Sequence, residues 1–123
     1  MSNLLIGAFL IGHGLVHWVY IAPEPNVPEA ELWSFMTNRW LVTKAGVDQR
    51  FALMLGIVLM GLITVGFAAS GIGLIVSWEA WRILAIGSAV VSLLLLGLFW
   101  HNWMIAGPVL NLGIILLALY WGR

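Results

Sequence analysis

His13 and His17 stand four residues apart in an otherwise apolar stretch, so on a helix they lie one above the other on a single face. A third histidine, His101, follows Trp100 at the end of another apolar stretch. Three chemistries suit such residues. Imidazole ligates Zn, Cu, Fe and Ni, and haem takes an axial histidine from each of two facing helices, so His13, His17 and His101 are candidate ligands for haem or a divalent metal. Imidazole also titrates near neutrality; His13 and His17, with Glu24 at the mouth, are candidate acid–base groups of a small proton-coupled transporter or a lipid-active membrane enzyme. In the third chemistry His13, Ser92 and Asn111 form an interhelical hydrogen-bond network, or the polar contacts of a bound cofactor. The phrase His13-Gly14-Leu15-Val16-His17 carries Gly where a zinc peptidase helix has Glu, so the HExxH motif is absent. With no cysteine, thiolate metal sites, disulfides and thiol nucleophiles are excluded.

The elements that must hold these side chains follow from composition. The chain is 63% hydrophobic and only 8% charged, far below the roughly 25% of a soluble domain. Formal charge is zero and no basic face exists, which excludes a nucleic-acid partner bound by charge. A bilayer core needs about 20 apolar residues per helix, and four stretches qualify: about 4–21, 51–69, 80–103 and 105–122. Helices are expected because lipid leaves the backbone no outside partner, and no period-2 alternation of a membrane barrel is present. The fold class predicted is an all-α integral membrane protein: four transmembrane helices in an antiparallel bundle, residues 1–123 forming a single transmembrane domain. Ser70-Gly71-Ile72-Gly73 reads as a turn, and Pro108 as either a kink in the fourth helix or its start.

Trp18, Trp100 and Trp103 mark one set of helix ends, and Trp78, Trp81 and Trp121 the other. Four crossings put both termini on one side, and the first segment, lacking a basic flank and a cleavage pattern, is expected to be retained as a helix. Plasma or inner membrane is the expected location. Basic residues divide nearly evenly between the two sides, so the orientation stays open. Arg123 is expected among the lipid headgroups, and Glu79 and Arg82, three apart, as an ion pair at the start of the third helix.

Seven of the ten charged side chains fall between Ala22 and Arg50. Pro23 and Pro25 favour extended backbone before them, and Pro28 followed by Glu29 and Glu31 predicts a helix over about 29–42. With Leu32, Met36 and Trp40 spaced four apart, that helix would be amphipathic and lie in the interface. Asp48 is the expected cap of the second crossing. Small residues recur on several faces: Ala85 and Ala89, Ser88 and Ser92, and the glycines of the first two helices. Such faces suit contacts within the bundle and between copies, so a homo-oligomer or a subunit of a larger membrane complex is expected, with lipid as the surrounding partner.

Counted from the helix ends, His13, Ser92, Asn111, His17 and His101 all fall in the half of the membrane nearer the long loop, whereas the other half holds Thr64 and Ser88. Polar groups at such depth face the bundle and need partners. The cheapest arrangement points His13 at Asn111 or Ser92 and lets His17 meet His101. The expected function is that of a structural or accessory subunit with a histidine/asparagine cluster, the metal or haem protein and the transporter or enzyme standing as alternatives.

Overall fold

Long apolar runs force the backbone to satisfy its own hydrogen bonds, and the chain does so almost wholly with helices. The structure, a computed structural model, describes residues 1–122; Arg123 and its expected headgroup contact lie outside them. Helix α1 (Ser2–Val16) tightens into a 3₁₀ turn (His17–Ile21). Two short helices, α2 (Ser34–Thr37) and α3 (Trp40–Thr43), interrupt the long loop. Helices α4 (Gln49–Ile75) and α5 (Trp81–Leu98) follow, then a 3₁₀ turn (Asn102–Met104) and α6 (Ala106–Tyr120). Four segments, Ser2–Ile21, Gln49–Ile75, Trp81–Leu98 and Asn102–Tyr120, are long and apolar enough to cross a bilayer. The protein is all-α, with the four-helix core of an integral membrane protein.

Packing runs in chain order: α1 on α4, α4 on α5, α5 on α6. Helix α6 barely touches α1, so the bundle has an open seam there. Small residues set the close approaches. Gly7 and Gly71 meet backbone to backbone, and a Cβ on Gly7 would stand 2.6 Å from the Gly71 carbonyl oxygen. Further along, Gly14 faces Thr64 and Phe67, while Gly66 faces Ser88 on α5. The α4 glycines thus serve different neighbours, as their five-residue spacing implies.

Several boundaries differ from those expected. Helix α4 continues through Ser70–Gly73 to Ile75, because Gly71 is needed at the α1 crossing and Ser70 Oγ donates to the Trp81 carbonyl at 2.8 Å. The chain turns instead at Val76-Ser77. There Trp78 N donates to Gly73 O (2.7 Å) and Ser77 N to Leu74 O (3.2 Å), a Schellman cap with Ser77 in the left-handed region at φ 59°. Trp81, expected at the membrane border, is buried beside Gly73. Helix α5 stops at Leu98 rather than near residue 103, so His101 is extended (φ −143°, ψ 145°) and starts the 3₁₀ turn. Pro108 lies in the first turn of α6, where its missing N–H leaves no ladder bond unmade. Asp48 caps α4 as expected, its carboxylate accepting from Arg50 N and Phe51 N at 3.0 and 3.1 Å.

The helix expected over 29–42 is broken. Glu29 (φ 67°) and Trp33 (φ 69°) are left-handed, Arg39 is extended, and only α2 and α3 remain helical. The four-residue face dissolves with it: Met36 is fully buried, while Leu32 and Trp40 are exposed. Met36 and Phe35 instead plug the bundle, Met36 against Gly56 and Phe35 stacked on Tyr20 at 5.6 Å. Arg82 does not turn to Glu79. Its guanidinium donates to the Ala118 and Trp121 carbonyls (2.8 and 2.6 Å), tying down the end of α6 where a cation is favoured.

Candidate functional site

Helix α1 and the 3₁₀ turn that continues it present His13 and His17 inward because Gly14 between them lets α1 lie close on α4. Phe67 of α4 packs against both rings, with centroids 5.0 Å from His13 and 6.4 Å from His17. Asn111 of α6 and Ser92 of α5 are fully buried, and His13 and His17 nearly so. These four side chains are hydrogen-bonded together. His13 Nε2 lies 3.2 Å from Asn111 Oδ1, Asn111 Nδ2 lies 2.8 Å from Ser92 Oγ, and Ser92 Oγ lies 2.6 Å from His17 Nε2. His17 Nδ1 then returns to the His13 carbonyl oxygen at 2.9 Å.

For neutral imidazoles, partner chemistry fixes every proton. The His13 carbonyl can only accept, so His17 Nδ1–H donates to it and His17 Nε2 accepts from the Ser92 hydroxyl. Ser92 Oγ in turn accepts from the Asn111 amide, and Asn111 Oδ1 accepts from His13 Nε2–H. Each donor feeds the next, and the chain of bonds closes on the residue where it began. Three helices are joined by it. No carboxylate takes part.

The other expected site residues lie elsewhere. His101 does not meet His17; its Nδ1 accepts from Trp103 N at 3.1 Å and its ring packs edge-on to Phe35 at 5.6 Å. The early end of α5 at Leu98 carries it away from the last helical turn. Among the described residues no three of His, Cys, Asp and Glu gather as metal ligands, so the arrangement lends a metal or haem centre no support. Glu24 is held by Arg39 in an ion pair and by Asn38 Nδ2 at 2.8 Å, not by a histidine of α1. Burial pushes the Glu24 carboxyl up, but the Asn38 hydrogen bond, the charge and hydrogen bond of Arg39 and the charge of His101 outweigh it and hold it below its ordinary value. Thr64, expected in the opposite half, accepts from Trp18 Nε1 (2.9 Å) and donates to Gly14 O (3.1 Å), level with the histidines.

Two residues escaped the sequence reading. Tyr20 follows His17 by three on the same helix side and lines a cavity of about 190 Å³ together with His13 and His17. Arg39 sat among loop charges, yet it is buried, with its guanidinium 5.0 Å over the Phe35 ring. The helical spacing of Tyr20 was the available signal for the first; nothing local signals the second. No protein-family model, curated protein or solved structure matches the chain.

Proposed function

We propose that the protein is a small structural or accessory subunit of a membrane assembly, a single transmembrane domain whose histidine–asparagine–serine ring fastens three helices in the bilayer. The observation that carries this reading is the closed ring itself: three of its four hydrogen bonds run between helices, and among the described residues no acidic group reaches it. Antiparallel packing is supported by contacts that run in opposite senses, Gly7 with Gly71 and Gly14 with Thr64. Both termini on one membrane side is supported by Trp121 Nε1 donating to Asn3 Oδ1 at 3.4 Å. An interfacial position for the Ala22–Asp48 loop is supported by its exposed Trp40 and Leu32 beside its charges. Lipid surrounds the exposed apolar faces, and assembly with further copies or with a larger complex in a plasma or inner membrane uses part of them.

A second reading, a lipid-active or proton-coupled site, rests on the 2.6 Å approach of Ser92 Oγ to His17 Nε2, with His17 oriented by the His13 carbonyl. Against it, Ser92 is fully buried and its oxygen is already engaged by Asn111. Proteoliposomes separate the two readings. The structural reading expects no proton flux under an imposed gradient, no fluorophosphonate label on Ser92, and migration above the 13.5 kDa chain when native membranes are gently solubilised. Flux abolished by His13→Gln, or a label lost in Ser92→Ala, would overturn it.

A further inference from the structure

The seam between α1 and α6 is bridged by the His13–Asn111 and Trp121–Asn3 hydrogen bonds but is not packed shut. It holds two cavities, one of about 380 Å³ lined by Leu5, Phe9 and Gly113 among others, and the cavity of about 190 Å³ that includes His13, Tyr20 and Trp103. Leu110 lines both, and Phe9 of the first stacks on His13 of the second at 5.9 Å. They adjoin at Leu110 along the α1–α6 groove, whose first part is apolar along α6 from Val109 to Leu117, on the order of 12 Å by helical rise. Its loop end is lined by the rings of His13, His17, Tyr20 and Trp103.

That end has unspent hydrogen-bonding capacity. The ring uses His13 Nε2, which leaves Nδ1 of the neutral imidazole as an acceptor without a partner among the described residues, on a residue only 6% exposed. Among the described residues the Tyr20 hydroxyl likewise has no partner. Neither atom is sealed off, since among the described residues the sealed, unpartnered side-chain atom is Arg39 Nε. A dry cavity of about 150 Å³ accommodates benzene, so about 190 Å³ suits one substituted six-membered ring.

We propose that the α1–α6 groove binds a lipid-soluble phenol or hydroquinone bearing a single apolar tail ortho to a hydroxyl, that hydroxyl donating to His13 Nδ1 and the ring lying between Tyr20 and Trp103. The tail occupies the Leu5–Leu117 stretch and enters sideways from the bilayer. The fixed direction of the ring sets the selectivity: His13 Nδ1 accepts and cannot donate, so a hydroxyl is preferred to the corresponding ether. This goes beyond a fastening role, because His13 Nδ1 takes no part in joining the helices.

The test uses the full chain in lipid nanodiscs, uniformly ¹⁵N-labelled at histidine, titrated with 2-nonylphenol and with 2-nonylanisole, which has the same tail and ring without the donor. The expected result is a saturable shift of the His13 Nδ1 resonance with the phenol and an affinity at least roughly tenfold weaker for the ether. Gly113 has open space where its Cβ would be, so Gly113→Phe fills the tail channel without disturbing the helices. It should weaken phenol binding tenfold or more at unchanged melting temperature. Equal, unsaturable uptake of both probes would mean that ordinary acyl chains fill the groove and would overturn the proposal. So would a homodimer that Gly113→Phe dissociates while the His13 resonance ignores the phenol, since a second copy would then be the occupant.

Discussion

Asn111 joins the ring to two other helices, through His13 of α1 and Ser92 of α5. Removing it orphans the His13 Nε2–H donor and a Ser92 Oγ acceptor, and Ser92→Ala likewise orphans the Asn111 Nδ2–H donor and the His17 Nε2 acceptor. Asn111→Leu and Ser92→Ala are therefore each expected to cost roughly 1–3 kcal/mol in mixed-micelle unfolding. A double-mutant cycle of Ser92→Ala with His17→Phe should return a coupling of about 0.6–1.7 kcal/mol, the range of interhelical bonds in a bilayer; a coupling near zero would dismantle the ring as drawn. Outside the membrane the sensitive residue is Glu24. Its folded carboxyl titrates below its unfolded value, so its contribution is complete above the ordinary carboxylate range and is lost as pH falls through the depressed value. Since Ser34 Oγ also holds the Glu24 amide at 2.9 Å, acid should raise hydrogen exchange around residues 33–39, and Glu24→Gln should remove that pH dependence. The ring members His13, Ser92 and Asn111 were legible in the sequence because polar side chains at one depth must find one another. The partner of His17 was not legible, because it depends on where α5 ends.

Ser77 occupies a position that an L-residue adopts at a cost. Its left-handed φ of 59° closes the Schellman cap of α4, so Ser77→Gly is expected to stabilise the α4–α5 turn by about 1 kcal/mol and Ser77→Val to destabilise it. The opposite sign for either variant would show that the cap is not what ends the helix. The α1–α4 crossing has its own check. A side chain at Gly71 drives into the Gly7 carbonyl, so Gly71→Val should cost roughly 1–3 kcal/mol, while Gly12→Ala, which has open space, should stay within about 0.5 kcal/mol. These cases mark the limit of what helix patterning could tell. Four apolar stretches were readable because bilayer thickness dictates their length. Their ends were not, since glycine reads as a turn in isolation and as a close crossing once a partner helix is present, as at Gly71. The loop defied its four-residue pattern for a related reason: Phe35 and Met36 gain more from plugging the bundle beside Gly56 than from lying along an interface, and the left-handed Glu29 and Trp33 make the necessary reversals.

At the scale of the molecule, contacts rather than charges argue for the topology. Basic residues divide too evenly to orient the chain, but Asn3, Ser77, Arg82 and Trp121 line one cavity, drawing the beginning of α1, the α4–α5 turn and the end of α6 to a common level. Lys44 and Asp48 lie at the other end of α4, a helix of 27 residues that spans on the order of 40 Å. The chain contains no cysteine, so single cysteines can be read without background. In sealed vesicles of uniform orientation, Asn3→Cys, Glu79→Cys and Gly122→Cys should share one response to a membrane-impermeant maleimide, and Lys44→Cys should give the opposite response. Asn3→Cys loses the bond from Trp121, worth about 1 kcal/mol, and should fold nonetheless. If Lys44→Cys and Glu79→Cys react from the same side, α4 does not cross the bilayer. The ring of His13, His17, Ser92 and Asn111 would then have to be understood in a protein lying on the membrane, where water competes for each of its bonds and the fastening role loses its physical basis.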